Sequence, residues 1–362
     1  MNFDVAIVGG GPAGSSLALF LANRGCRVAQ IDDGRALDFK PGEGLVPAAK
    51  RMLRSLKVWE AFSEQDHLPT YGNDSLWGHP QPQSSDFIQS IDGHGWRLDR
   101  LAFDQMLRKE GEKAGVTSVQ GFVQKVERSG EEWKLRLRDG NRIAAGWLVD
   151  ATGRSASLAR QLGAVRKDVD QLVAFWMHFT PNQLGDRYAS SLIESRPEGW
   201  WYNALLPNGH RVVYFFSDAG SPAQKEAQTQ AGFMSLLNQT SFVGEKLAAY
   251  GYEPLSPPQA ADARSARLDQ VMGDQWLAVG DAAMSFDPLS SQGILTAVYG
   301  GIQAGKALEK IKQGEVDALN AYGEAMEKVW TVYLENKAKF YGSERRWTAE
   351  PFWRERMELQ FK

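Results

Sequence analysis

A short apolar run, Val5 to Val8, passes directly into Gly9-Gly10-Gly11-Pro12-Ala13-Gly14, and this junction restricts the fold more than any other feature of the chain. A run apolar on both faces reads as a buried parallel strand. Gly9 permits the tight turn, Gly11 lets the backbone approach a pyrophosphate, and Gly14 lets the following helix pack closely on the strand. Pro12 suits the first turn of a helix. A helix beginning at Pro12 and Ala13 directs free N–H groups and its positive dipole end toward phosphates. Leu17, Phe20 and Leu21 recur at helical spacing, Arg24-Gly25 closes the helix, and Val28 to Ile31 begins a second strand. That strand ends at Asp32, about 20 residues past the turn, where an acid for a ribose hydroxyl is expected. Asp33 competes for this role. The pattern predicts a dinucleotide site and does not separate FAD from NAD.

Later segments decide for FAD. Trp147-Leu148-Val149-Asp150-Ala151-Thr152-Gly153, continuing through Arg154 to Arg160, resembles the Asp-Gly motif of the para-hydroxybenzoate hydroxylase superfamily. Gly280-Asp281, with Pro288 and Gln292-Gly293-Ile294 downstream, resembles the segment that flavoprotein hydroxylases use on the ribityl chain and flavin ring. Lys40-Pro41-Gly42-Glu43-Gly44 and Trp96-Arg97-Leu98-Asp99-Arg100 resemble segments of the branch that holds the flavin-dependent halogenases and related hydroxylases. Glu344-Arg345-Arg346-Trp347 with Pro351-Phe352-Trp353 is similar to the ending of one sub-branch. That sub-branch contains the flavoproteins that mature cysteine tryptophylquinone in lysine and glycine oxidases.

The resemblance implies an α/β fold: a Rossmann-like FAD-binding domain, a second domain built on an antiparallel β-sheet that binds substrate, and C-terminal helices. It implies FAD contacts from Lys40, Glu43, Arg100, Asp150, Gly153, Gly280, Asp281, Pro288, Gln292, Gly293 and Ile294, beside those of Gly9 to Gly14 and Asp32 or Asp33. Asp281 is expected to accept hydrogen bonds from ribityl hydroxyls. The helix opening at Gly293 is expected to aim N–H groups at the flavin N1 and O2 edge, where reduced flavin is negative.

The domains are expected to be discontinuous: 1–68, 97–165 and 260–315 for FAD, 69–96 and 166–259 for substrate, and a C-terminal helical segment over 316–362. Leu172 to Phe179, Trp200 to Leu206 and Arg211 to Phe216 read as strands, the last two joined through Pro207-Asn208-Gly209. Pro222 to Leu247 reads as a helical cover, and Glu315 to Tyr341 as a long helix. A net charge of −3 gives no electrostatic reason to expect nucleic acid or an anionic membrane. The single cysteine, Cys26, excludes an internal disulfide and any cysteine-cluster metal site. No apolar run is long enough to span a bilayer, and the cytoplasm is the expected location.

In this family the second sheet faces the flavin. Of its aromatic residues, strand alternation turns only half inward. His178 is a candidate base or substrate anchor, and Trp201 and Pro288 are further candidates beside the reacting atoms. The cofactor carries the hard step while the protein binds, orients and excludes water. The expected reaction is monooxygenation of an electron-rich aromatic ring with O2. Electrons would come from NAD(P)H or a separate reductase. The resemblance favours as substrate a tryptophan of a quinoprotein oxidase precursor, with Trp200, Trp201 and the C-terminal aromatics as a docking surface. A free phenol or indole is the neighbouring alternative. A halogenase should show Trp-x-Trp-x-Ile-Pro and a guiding lysine, whereas the related place reads Trp200-Trp201-Tyr202-Asn203-Ala204-Leu205-Leu206-Pro207. A prenyl-chain reductase and a non-catalytic protein that retains FAD are the remaining alternatives.

Overall fold

The computed structural model describes residues 2–35, 39–87, 90–315 and 317–358. Residues 316 and 359–362 of the expected C-terminal segment lie outside these. The first strand, Asn2–Val8, sits centrally in a sheet whose parallel members run Trp276–Ala278, Arg142–Asp150, Asn2–Val8, Val28–Asp32 and Thr117–Gln120. Val5 to Val8 are buried, as a strand covered on both faces requires. Helix Pro12–Ala22 leaves the C-terminal end of the first strand and packs along helix Gly293–Lys312. Their approach is close because Gly301 has no side chain: a Cβ there would lie 2.5 Å from the Ala13 carbonyl oxygen. This crossing brings the start of the late helix beside the glycine turn, some 280 residues away in sequence.

The second large sheet contains eight strands among the described residues. Its centre is Leu172–Pro181, Arg211–Asp218, Gly199–Leu205 and Ser191–Arg196, all antiparallel to their neighbours in that group. One parallel pair departs from the antiparallel expectation: Ser191–Arg196 runs alongside Gly72–Leu76. Helices Pro222–Glu226, Gln230–Leu237 and Phe242–Ala249 cover one face, packing on Phe175, Met177, Trp201 and Phe215. The opposite face carries Ala174, Trp176, Trp200, Tyr214 and Phe216. Both faces are therefore apolar, so neither is marked by a polar alternation in sequence.

Helix Ala318–Ser343 ties the two sheets together. Its Tyr333 hydroxyl accepts from Asp287 N at 2.9 Å, and its Tyr341 hydroxyl donates to Asp287 Oδ2 at 2.7 Å. Trp200 Nε1 donates to the same Tyr341 oxygen at 3.1 Å. Lys337, with its side chain largely buried, pairs with Asp170 and donates to Ser265 at 2.7 Å. Among the described residues no helix is long and apolar enough to cross a membrane.

Candidate functional site

A single cavity of about 910 Å³ runs from the glycine turn to the second sheet. At one end Gly9, with φ +125°, makes the turn, and a Cβ on it would run into the Ala151 carbonyl. A Cβ on Gly14 would in turn meet the Gly9 carbonyl, so Gly14 lies behind the turn, not on the cavity. Gly11 differs: it borders the cavity, and nothing lies within 4 Å of where its Cβ would be. Pro12 and Ala13 line the same end. The helix has no side-chain cap, so its first N–H groups are available to a ligand.

Asp32 borders this end from the tip of its strand and braces the turn, accepting from Gly10 N at 2.7 Å and Gly34 N at 3.0 Å. Asp33 lines the cavity from a more exposed position and accepts from Arg35 N at 3.1 Å. Gln30 and Ser15, which the sequence did not single out, complete the support. Gln30 Nε2 donates to the Gly9 carbonyl at 3.2 Å and to Ser15 Oγ at 3.0 Å.

The 40–44 loop and Arg100 form a side wall. Arg100 Nη1 donates to the carbonyls of Pro41 and Gly42, both at 2.8 Å, while Lys40 Nζ pairs with Asp104 at 2.6 Å. Asp104 thus fixes both cations. Glu43 points across the cavity to the second sheet, where Tyr214 donates to it at 3.4 Å.

Gly153, Asp281, Pro288, Gln292, Gly293 and Ile294 all line the middle of the cavity. Asp281 lies 3.6 Å from Arg154, and burial raises its carboxyl above the usual carboxylate range while Arg154 opposes the rise. Arg154, inside the Asp-Gly segment but not picked out there, also lines the cavity and donates to the carbonyls of Arg264 and Phe286. Gly280 lies behind the lining with φ +60°, and a Cβ on it would stand 2.6 Å from Ala13 Cβ. Burial also raises Asp287, opposed by Lys337.

Besides Gly14 and Gly280, three expected site residues do not line the cavity. Asp150 does not reach the cavity. Its carboxylate accepts from Thr152 N and Oγ1 and from Leu158 N and Ala159 N at 2.7 to 2.9 Å, which fills its acceptor positions. Trp201 is 0 % exposed and packs on Phe215 and Phe233 beneath the helical cover, because alternation turns it away from Trp200. His178 stands on the cavity side of its strand but beyond the cavity, edge-on to Phe39 with ring centroids 4.3 Å apart. Burial, then His210, lowers its pKa.

Among the described residues the expected docking surface does not form, because Trp200, Trp201, Phe352 and Trp353 are core and Trp347 is half-buried against it. Trp200 and Trp353 are 1 % and 0 % exposed. The C-terminal motif anchors its own segment: Glu344 accepts from Gly78 N and Ser195 Oγ, and Arg346 donates to Glu344, Ser195 and the Leu76 carbonyl. Against desolvation, which raises it, these bonds hold Glu344 at about 2.

The residues left facing the cavity from the second sheet are Ala174, Trp200, Tyr202, Tyr214 and Phe216, with Ala261 and Asp262 on the strand Gln259–Asp262 beside them. Trp200 stacks on Phe216 with centroids 3.9 Å apart and a 14° interplanar angle. The cavity therefore joins a phosphate-binding turn to a flat aromatic wall. An unfilled Gly11 cradle, uncapped helix starts at Pro12 and Gly293, and two carboxylates at Asp32 and Asp281 fit an extended dinucleotide with a ring at one end.

Comparisons with known proteins agree with this geometry. The tryptophan halogenase family model matches residues 77–362. LodB of Marinomonas mediterranea, assigned as an FAD-dependent oxidoreductase, is 29% identical over 98% of this chain and 97% of its own. The structure of QhpG, a peptidyl tryptophan dihydroxylase essential for tryptophylquinone cofactor biogenesis, is 26% identical with a TM-score of 0.77, covering 98% of this chain and 79% of that one. The myxobacterial chondrochloren halogenase CndH shares the fold with a TM-score of 0.88 at 23% identity, over 99% of this chain and 88% of that one.

Proposed function

The chain belongs to the tryptophan halogenase family and is an FAD-dependent oxidoreductase, and we propose that it is a monooxygenase that hydroxylates an electron-rich aromatic ring. The favoured substrate is a tryptophan indole in a quinoprotein oxidase precursor, modified on the way to a tryptophylquinone. The observation that carries this reading is the character of the cavity wall. Trp200, Tyr202, Tyr214 and Phe216 suit a flat ring, and the one lysine among the described lining residues, Lys40, is held by Asp104 at 2.6 Å. A lysine so paired is poorly placed to guide hypohalous acid. The likeness to QhpG, a peptidyl tryptophan dihydroxylase, supports a protein-bound tryptophan over a free ring.

When bound, reduced FAD supplies the electrons that activate O2 for transfer of one oxygen atom. Gly9 to Ala13 would hold the pyrophosphate, Asp32 a ribose hydroxyl and Asp281 the ribityl chain. The N–H groups at Gly293 and Ile294 would face the ring edge that becomes negative on reduction. The aromatic wall would exclude water from the reacting ring. NAD(P)H, directly or through a separate reductase, is the proposed electron source. The proposal keeps the domain limits drawn from sequence, with the FAD domain assembled from 1–68, 97–165 and 260–315.

The test is coexpression of a quinoprotein oxidase precursor with and without this protein, followed by mass spectrometry of the precursor tryptophan. Oxygen gained only in the presence of this protein supports the reading. Equal quinone in both cultures overturns the maturation role and leaves a phenol or indole hydroxylase.

A further inference from the structure

The fold removes one acid of the cavity from solvent, and among the described residues no ion pair forms with it. Glu43 is 2 % exposed, and Leu98 N fixes its backbone by donating to its carbonyl at 2.7 Å. Its Oε2 receives Tyr214 at a long 3.4 Å, and its Oε1 has no hydrogen bond among the described residues. Arg97, on the strand paired with this loop, gives Nη2 to Ser191, keeps its Nε without a partner among the described residues, and lies over the Tyr202 ring at 5.8 Å. Glu43 lines the cavity, so a ligand there can supply a further donor to its carboxylate.

The surroundings describe that ligand. Tyr202 and Tyr214 are paired across their strands, and Tyr214 stacks on Phe216 at 15°, next to the Trp200–Phe216 stack. A planar apolar surface thus ends at one acid. Burial, reinforced by the charge of Glu43 and opposed at Tyr202 by Arg97, raises both phenols, so they stay protonated, and Tyr214 points its donor at Glu43. Glu43 is the acceptor at this edge.

We infer that Glu43 Oε1 accepts the ring N–H of an indole substrate, docking the polar edge of the ring against the 40–44 loop while its face lies on the aromatic wall. This rests on the aromatic-hydroxylase reading and adds the contact that sets the orientation of the ring. It also moves Glu43 from the cofactor to the substrate.

Indole and benzofuran, which has the same shape without an N–H, are titrated separately into the FAD-loaded protein, and binding is followed by the flavin difference spectrum. A hydrogen bond to a charged acceptor predicts that indole binds about tenfold or more tightly. Glu43→Met, an apolar replacement of similar length, should keep its FAD and bring the two affinities together. Equal binding in the wild type overturns the contact and leaves the hydroxylase reading standing. A preference that survives in Glu43→Met, or loss of FAD from that variant, also overturns it, the latter returning Glu43 to the cofactor. If neither ring perturbs the wild-type flavin, the aromatic reading falls and the contact with it. The wild-type comparison decides alone if the variant does not fold.

Discussion

Replacing Asp150 separates a structural carboxylate from a cofactor ligand. In the folded chain it accepts from the backbone N–H groups of Leu158 and Ala159, at 2.9 and 2.7 Å, and from Thr152. Asp150→Ala leaves the two helix-start donors buried without an acceptor, at about 1–3 kcal/mol each, so roughly 4 kcal/mol together. Unfolding entropy of about 2.1 cal/mol/K per residue over 362 residues is about 0.8 kcal/mol/K, which converts that loss to a fall in Tm of about 5 °C. Leu158 and Ala159 share Oδ2, so Asp150→Asn can keep one acceptor oxygen for both while turning its NH2 toward Thr152, and it should lose about half as much. Differential scanning fluorimetry of the FAD-free protein reads the shift, and flavin absorbance per chain reads occupancy. Both variants should retain FAD at low temperature. Loss of FAD from Asp150→Asn with Tm unchanged would show that the carboxylate serves the cofactor and refute the structural role.

Gly11→Val should purify colourless yet folded, since a side chain there meets cavity and not protein; full flavin absorbance in that variant contradicts the placement of the pyrophosphate. Trp201→Ala should destabilise by about 3–5 kcal/mol in denaturant titration, because it empties a packed site beneath the helical cover. Burial holds His67 at about 4 in the folded chain against 6.5 in the unfolded one, so the unfolded state takes up the proton first. Stability contributed by neutral His67 is therefore lost as pH falls from 6.5 toward 4, by up to about 3 kcal/mol, and His67→Asn should flatten that part of the stability–pH curve. Reactions run with tryptophan, indoles or phenols in the presence of chloride or bromide should give no halogenated product, and a halogen isotope pattern in the mass spectrum would overturn this.

The parallel sheet and its turn were legible because both depend on local chemistry. Gly14 packs on the Gly9 carbonyl within one strand–turn–helix unit, although Gly9 is itself confined by Ala151, far away in sequence. The hairpin around Pro207-Asn208-Gly209 and helix Gly293–Lys312 were readable for the same reason. The choice between Trp200 and Trp201 was not. Their sheet is covered on both faces, one by helices and one by the aromatic wall, so hydrophobicity carries no period of two there. The C-terminal motif was visible as a motif, but its meaning lay in Gly78 and Ser195, partners far away in sequence. Asp150 ends its strand as a ligand-binding acid would. Its service to the helix start at Leu158 and Ala159 depends on a turn geometry that residue types alone do not fix.

The most direct test of the central claim is isotope tracing of oxygen. The FAD-loaded protein, a flavin reductase with NADH and a tryptophan-containing oxidase precursor are incubated under 18O2, and the tryptophan peptide is sequenced by mass spectrometry. The account predicts that label from 18O2 enters the indole ring, and that omitting this protein abolishes it. An unmodified indole with all consumed oxygen recovered as hydrogen peroxide would contradict it.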